Sequence, residues 1–204
     1  MVPHAHQLEV PLLIVHGLWD SLTRIDPLVQ GLRARGIERV LGFDLLPSTG
    51  RAPIGELARQ VAEQADALRR ESGAQQIDLL GFSMGALAAR CYLQQGGGRA
   101  HVRRFISISG PHAGTLTAFA LPFAGVRDMR PRSALLRALE ADTDPFGNVE
   151  VHCIYTPLDL MIVPATSSIL RGAHSVHRLP IPLHRWMIRD SRVLDLVASL
   201  LTRA

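Results

Sequence analysis

Residues 77–93 read IDLLGFSMGALAARCYL, and this stretch decides which fold we predict for the whole chain. It begins with the short apolar run expected of a buried strand in a parallel sheet. The pentapeptide GFSMG follows at residues 81–85, and residues 86–93 then read as a helix rich in small side chains. A strand, a sharp turn with a serine at its apex and a helix form the setting in which a G-x-S-x-G motif acts as a nucleophile elbow.

The spacing of this motif has a steric reason. Gly81 and Gly85 flank Ser83 because the strand and the helix pass too close together there for side chains. A strained backbone at the apex would hold the Ser83 hydroxyl outward. The helix that begins behind Ser83 presents free N–H groups and a positive dipole to a developing oxyanion. The alternative is a chance occurrence of the motif at an ordinary strand–helix junction.

Length and composition indicate an ordinary globular protein. The 204 residues are 47% hydrophobic and 20% charged, and they predict a single domain spanning residues 1–204. No apolar run approaches the roughly 18 residues of a membrane span, so we expect no transmembrane segment. The N-terminal residues 1–17 lack the pattern of a signal peptide, which predicts a cytoplasmic location unless a leader precedes the chain.

Charge and cysteine usage exclude several classes of function. The formal charge is only +4, every basic residue is arginine, and the arginines are scattered without interleaved aromatics, so we expect no nucleic-acid partner. Cys91 and Cys153 have neither metal-ligand spacing nor a disulfide framework, and we interpret both as buried thiols. The cysteines therefore indicate neither a metal site nor a disulfide.

Apolar strands alternate with helical segments along the chain, which predicts a mostly parallel sheet flanked by helices. Functional groups on such a sheet gather at the carboxyl ends of its strands. The residues that follow apolar strands here are His16 with Gly17, Ser83, His112 and Asp159. The least regular segment, residues 116–148, is expected to form a short cap.

A serine nucleophile needs a base and an acid that orients the base. The acid candidates downstream of Ser83 are Asp159, which follows a strand within a tight turn, and Glu140, Asp142 and Asp144 in the irregular segment. Asp159 is favoured because its turn lies at the carboxyl edge of the sheet; the alternative is a plain turn aspartate after a proline.

The base is expected in the loop between the last strand and the last helix. His184 lies in such a loop, between two prolines and the closing helix, whereas His174 and His177 fall at or within the strand. His184 is therefore the favoured base, and the alternative for each of the three is a surface histidine.

The oxyanion hole requires two backbone N–H donors. Met84, directly after the nucleophile, would supply one, and Leu18, after the turn that Gly17 allows, would supply the other. His16 is interpreted as a buried structural histidine.

Six segments together resemble bacterial triacylglycerol lipases and small lidless esterases, in colinear order over nearly the whole chain. They are LLIVHGLWD, GFSMGALAARCYLQ, ISGPHAGT, MRPRSALLRAL, YTPLDLMIVP and LPIPLHRWMIRDSRVLDLV. The resemblance implies the α/β-hydrolase fold, with Ser83 as nucleophile, Asp159 as acid and His184 as base. It also implies Leu18 and Met84 as oxyanion donors, and it places His112 in a motif of the family.

The chain departs from the family pattern at a few positions. Phe82 replaces a histidine before the serine, Ala86 replaces a glycine, and the cap at residues 116–148 leaves no room for a full lid. No counterpart of the calcium site of some larger family members is visible, so we expect no metal and no cofactor. The apolar residues Trp19, Phe82, Phe119, Leu121 and Phe123 are candidates for an acyl pocket, or alternatively pack the cap onto the core.

The resulting hypothesis is hydrolysis of carboxylic esters, acylglycerol-type or otherwise lipophilic, through an acyl-enzyme. The alternatives on the same triad are a thioesterase, a phospholipase and an acyltransferase. Two further alternatives are a non-catalytic hydrolase-like binding protein and a protein that binds a membrane or protein surface through the apolar cap.

Overall fold

A computed structural model describes residues 10–203, and its centre is one six-stranded sheet. All neighbouring strands pair in parallel, in the order β2-β1-β3-β4-β5-β6. The strands are β1 (Leu12–Val15), β2 (Val40–Phe43), β3 (Ile77–Phe82), β4 (Val102–Ile108), β5 (Glu150–Tyr155) and β6 (Ser175–Arg178). The predicted parallel sheet is confirmed, and its carboxyl edge carries the loops that follow each strand.

Helices cover both faces of the sheet. They are α1 (Leu22–Arg33), α2 (Ile54–Ser72), α3 (Met84–Gln95), α4 (Ala124–Asp128), α5 (Ala134–Glu140) and α6 (Ser191–Thr202). Short 3₁₀ turns occupy Gly98–Ala100, Leu116–Ala120, Ala165–Ser168 and His184–Ile188.

The core has two halves because successive strand side chains point to opposite faces of the sheet. Leu13 and Val15 of β1 pack with residues of α2 and α3 on one face. Leu12 and Ile14 pack with residues of α1 and α6 on the other. Strands buried on both faces explain the continuous apolar runs of the sequence.

Helix α1 begins earlier than the sequence predicts. In the sequence, the Asp26-Pro27 pair predicts a helix start, but Ser21 is extended and the helix starts at Leu22, with Pro27 inside it. The additional turn is held by the hydrogen bond from the Leu22 N–H to Asp44 Oδ1 (2.8 Å) and by the complete burial of Ile25. Tertiary contacts therefore outweigh the preference of proline for a first helical turn.

The closing helix α6 has the predicted extent but a different cap. The sequence predicts Ser191 as its N-cap, but the structure places Asp190 there, where its side chain accepts a hydrogen bond from the Arg192 N–H (3.0 Å).

The segment 116–148 contains one 3₁₀ turn and the two short helices α4 and α5. It is tied to the start of α2, because Asp128 Oδ2 accepts from the Ile54 N–H (2.9 Å) and the Gly125 N–H donates to the Gly50 carbonyl (2.9 Å). Two short helices held in this way form a compact cap beside the carboxyl edge.

None of the helices in residues 10–203 combines the length and the apolar character needed to cross a bilayer. Residues 1–9 and residue 204 lie outside the described part of the chain. Residues 1–9 belong to the segment from which we predict that there is no signal peptide. The single-domain assignment and the cytoplasmic location stay predictions.

Candidate active site

Ser83 sits at a strained apex between β3 and α3. Its φ of 54° and ψ of −126° lie in a region that residues with a side chain rarely adopt. A Cβ at position 81 would overlap the backbone of Ala86, and one at position 85 would overlap the carbonyl oxygens of Val15 and His16. Both glycines are therefore required by backbone contacts, one within the elbow and one between α3 and the end of β1.

Replacing Gly85 with alanine is expected to destabilise the protein by about 1–3 kcal/mol, because backbone atoms have to move to admit the methyl group. Urea unfolding measures this change. The matched control is Gly55→Ala in α2, where a Cβ meets nothing within 4 Å and the lower backbone entropy should stabilise the helix. A Gly85→Ala protein as stable as the parent would show that the packing of α3 against β1 is looser than described.

The acid and base candidates form a direct pair. His184 Nδ1 lies 2.7 Å from Asp159 Oδ2, and the Asp159 side chain is almost fully buried. The other carboxylate oxygen, Oδ1, accepts hydrogen bonds from the N–H groups of Met161 and Ile162, each at 2.9 Å. Three donors thus hold the carboxylate in one orientation, and the carboxylate in turn orients the imidazole.

The pKa of Asp159 lies below the ordinary value of an aspartate. Burial alone raises this pKa, but the hydrogen bond and charge of His184 and the two backbone N–H donors together lower it further than burial raises it. The carboxyl group is therefore ionised at neutral pH, as an acid that orients and stabilises an imidazolium must be.

Ser83 and His184 line the same cavity, whose volume is about 320 Å³. The cavity opens at the carboxyl edge of the sheet, and its walls are mainly apolar. Its lining comprises Leu18, Trp19, Asp20, Arg24, Phe82, Ser83, Thr115, Thr117, Ala118, Ala120, Leu121, Val126, Met129, Met161, Ile162, His184 and Arg185. The Phe82 ring stacks against His184 at 4.9 Å between centroids, so it covers one face of the imidazole.

The two candidate oxyanion donors lie at this cavity. Leu18 lines it, and Met84 is the first residue of α3, directly behind Ser83. A Cβ on Gly17 would lie 3.0 Å from the Ser83 Cβ, which shows how closely the loop after β1 approaches the elbow. Loop and helix N-terminus thus converge on the place where the oxygen of a bound carbonyl would carry charge.

Thr156 is a residue that sequence reasoning missed. It follows β5 and is fully buried, and its hydroxyl donates to the Ile181 carbonyl (2.7 Å) and accepts from the N–H groups of Ile181 (3.1 Å) and Leu158 (3.2 Å). It therefore ties the loop that carries Asp159 to the loop that carries His184. The available signal was a polar residue at the end of an apolar strand, before Pro157.

Thr156→Val keeps the shape of the side chain but removes the donor to the carbonyl of buried Ile181 and the acceptor of the Leu158 N–H. We expect it to cost about 1–3 kcal/mol of stability and to lower kcat by loosening the Asp159–His184 pair. Urea unfolding and ester hydrolysis measure the two effects. Exposed Thr143→Val serves as the control, and an unchanged kcat would mean that Thr156 does not position the pair.

His16 and His112, which the sequence places in the segments after β1 and β4, are both buried. His16 Nδ1 lies 3.0 Å from the Gly17 carbonyl, and its Nε2 accepts from the Leu45 N–H (3.0 Å), so it braces the loop after β1. His112 Nε2 lies 2.7 Å from Ser107 Oγ, while its Nδ1 has no hydrogen-bond partner among residues 10–203. Burial, and secondly the charge of Arg90, hold the pKa of His112 well below its usual value.

This shift gives His112 a measurable role in stability. Its folded-state pKa is depressed, so the unfolded chain takes up a proton first as the pH falls below about 6.5. The contribution of His112 to the free energy of unfolding is therefore fully present above that pH and falls below it, by up to about 1.4 kcal/mol per pH unit.

We expect His112→Gln to reduce this pH dependence, measured as urea unfolding at pH 7 and pH 5. His101→Gln is the control. Since burial also lowers the pKa of His152 and His177, part of the dependence should persist. Identical pH profiles for His112→Gln and the parent would contradict the role of His112.

Not every predicted pocket residue lines the cavity. Trp19, Phe82 and Leu121 do, whereas Phe119 is 59% exposed with the Arg130 guanidinium over its ring, and Phe123 packs against the core beneath Arg51. The assignment of the latter two to an acyl pocket stays a prediction.

A larger cavity of about 430 Å³ lies elsewhere, between α3, α5 and the loop that contains His112. It contains neither Ser83, Asp159 nor His184, so the smaller cavity is the candidate active site. The free cysteines Cys91 and Cys153 are both buried, and burial raises the pKa of each thiol to about 11. Neither is a thiolate at neutral pH.

Comparison with known proteins yields one family and many structures of the same fold. The model of the family described as palmitoyl protein thioesterase matches residues 11–157, more than half of the chain. No curated protein matches the sequence.

Three solved structures illustrate the shared fold. Aspergillus fumigatus lipase B aligns with a TM-score of 0.82 and 16% identity, over 100% of this chain and 56% of that chain. Mature Bacillus licheniformis lipase BlEst2 has a TM-score of 0.80 and 15% identity, over 100% and 96%. The lin2722 product of Listeria innocua has a TM-score of 0.72 and 14% identity, over 96% and 95%. The predicted α/β-hydrolase fold is confirmed, and this chain spans little more than half the length of lipase B.

Proposed function

The chain belongs to the palmitoyl protein thioesterase family, and on this premise we propose that it hydrolyses carboxylic acyl esters through a serine acyl-enzyme. Ser83 is the nucleophile, His184 the general base and Asp159 the acid that orients it. The substrates are acylglycerol-type or other lipophilic esters. The single observation that carries this proposal is the 2.7 Å bond between His184 and buried Asp159, beside Ser83 in a mainly apolar cavity.

The mechanism assigns each atom a step. His184 Nε2 accepts the proton of the Ser83 hydroxyl while Oγ attacks the acyl carbonyl carbon. The Nδ1–H donates to Asp159, whose negative charge stabilises the imidazolium. The N–H groups of Leu18 and Met84 hold the oxyanion. The leaving group departs with the proton from His184, and water then repeats the sequence to release the acid.

A chain-length series of nitrophenyl esters from acetate to palmitate tests this proposal, with Ser83→Ala as the blank. We expect turnover that depends on Ser83. The cavity volume lies at the low end of the usual range of ligand sites, which favours short and medium acyl chains. A maximum at short chains would remove the lipase label and keep the esterase label, whereas no serine-dependent turnover of any ester or thioester would make the enzyme proposal wrong.

Thioester hydrolysis is the second candidate, and the family match favours it. The same three residues serve both reactions, because only the leaving atom changes from oxygen to sulfur. An acyl thioester and an oxyester with the same acyl chain, compared at equal concentration, separate the two. A kcat/KM at least tenfold higher for the thioester would make the thioesterase assignment the better one.

A further inference from the structure

Exposed apolar side chains are concentrated at one edge of the sheet. Among residues 10–203, twelve large apolar side chains are exposed, and ten of them lie within eleven residues after the carboxyl ends of strands β1, β2, β4, β5 and β6. We call these ten the apolar rim: Trp19, Leu22, Leu46, Leu116, Phe119, Leu158, Leu160, Met161, Leu183 and Trp186. Because parallel strands end at the same edge, the rim lies at the edge where Ser83 follows β3.

The rim differs from the single apolar residues that every protein surface carries. Leu160 is 76% exposed and lies one residue from Asp159, Phe119 is 59% exposed in the cap, and Trp186 is 51% exposed two residues from His184. Segments of the chain far apart in sequence thus bring exposed apolar groups to the same edge of the sheet. Apolar surface gathered in this way marks a site of interaction.

Arginines flank the rim without carboxylate partners. Within the described residues, Arg24, Arg51 and Arg130 form no ion pair with an acidic side chain; Arg51 lies over the Phe123 ring and Arg130 over the Phe119 ring. Of the carboxylates nearby, Asp20 pairs with Arg185 (2.6 Å) and Asp159 with His184, while half-exposed Asp44 lies 3.6 Å from His16 and accepts from the Leu22 N–H. The three arginines give the edge positive charges that no ion pair with a carboxylate among residues 10–203 neutralises.

We propose that the apolar rim docks this protein on the surface of an anionic lipid bilayer, with the mouth of the candidate site facing the lipid. Apolar tips enter the boundary between head groups and acyl chains, and arginine stems lie along them while the guanidinium groups reach lipid phosphates. A lipid surface supplies many phosphates at once, which matches several arginines without carboxylate partners at one apolar edge. Trp19 and Trp186 belong to the side-chain type that favours the membrane–water interface.

Vesicle binding can be read directly from the protein, because the chain contains only two tryptophans and both belong to the rim. The probe is the Ser83→Ala protein, so that no lipid is cleaved. It is titrated with vesicles of phosphatidylcholine alone and of phosphatidylcholine mixed with phosphatidylglycerol. We expect the tryptophan emission to shift to the blue with the mixed vesicles, to a smaller extent with the neutral ones, and less at high salt.

Matched variants distinguish docking through the rim from non-specific binding by any exposed charge or apolar side chain. Leu160→Ser should weaken vesicle binding roughly tenfold, because one exposed leucine no longer leaves water. Arg24→Gln should weaken it about fivefold. The controls are exposed Val176→Ser and Arg70→Gln, where Arg70 lies at the end of α2 that precedes β3, at the opposite edge of the sheet. All four positions are exposed, and equal melting temperatures by circular dichroism verify folding.

Three outcomes would overturn the proposal. One is a tryptophan emission spectrum that neither kind of vesicle changes, in which case a protein partner would be the better occupant of the rim. Another is equal weakening by the control variants. The third is a lipid-free dimer by light scattering whose tryptophans are already shifted to the blue, which would assign the rim to a second copy of the chain. Docking does not depend on hydrolysis, so these results stand apart from the test of the proposed reaction.

Discussion

Replacing Ser83 with alanine is expected to lower kcat for a nitrophenyl ester by roughly 10⁴- to 10⁶-fold. The change removes the only group proposed to bond covalently to the acyl carbon. The oxyanion donors and the apolar cavity persist in the variant, so a small residual rate above that in water should remain. KM is expected to change much less than kcat, because the acyl chain still binds the same cavity walls.

Steady-state ester hydrolysis measures this effect, and a second readout separates chemistry from folding. A fluorophosphonate should add one phosphonyl group to the parent protein, by mass spectrometry, and none to Ser83→Ala. The matched control is Ser199→Ala on the exposed side of α6, which should keep both turnover and labelling. Labelling of the Ser83→Ala protein at another serine, with turnover retained, would overturn the assignment of the nucleophile.

Asp159→Asn is expected to lower kcat roughly 10⁴-fold with little change in the shape of the site. The asparagine oxygen can still accept from the Met161 and Ile162 N–H groups, so its NH₂ group would face His184 Nδ1. That arrangement favours the tautomer in which Nε2 carries the proton, and such an imidazole cannot accept the proton of Ser83. The charge that stabilises the imidazolium is lost as well.

The pH dependence of stability gives this variant an independent readout. Because the folded-state pKa of Asp159 is depressed, its contribution to stability is present above about pH 3.9 and is lost as the pH falls through the folded-state value. The stability difference between parent and Asp159→Asn should therefore shrink in acid. Exposed Asp66→Asn is the control for both kcat and stability. A kcat near that of the parent would exclude Asp159 as the orienting acid. The remaining candidates for the acid would then be Glu140, Asp142 and Asp144.

The sequence was sufficient for the fold because its signals are local and mutually consistent. Apolar runs marked strands β1 to β5 to within about two residues. Strand β6 has no apolar run, and its side chains alternate between half-buried and exposed. Strand–helix alternation then implied a parallel sheet whose carboxyl edge collects the loops. The start of α1 was misplaced because burial of Ile25 and a contact with Asp44 are not visible in local sequence.

The sequence was sufficient to name candidate catalytic residues, because the chemistry requires a serine, an acid and a histidine in a known chain order. Ser83 in its elbow, Asp159 after β5 and His184 before α6 each had a local signal. Their mutual geometry had no local signal. Thr156 offered only its place after an apolar strand, because its role depends on backbone groups 2 and 25 residues away.

By itself, the sequence determined the parallel sheet, the elbow and the order of the candidate residues, because each depends on neighbours within a few positions. The tertiary structure decided which side chains share a cavity, which aromatic residues of the cap face solvent, and that leucines and tryptophans from five separate segments form one apolar rim. These features depend on how distant loops meet at the edge of the sheet, and that meeting is set by packing of the whole core.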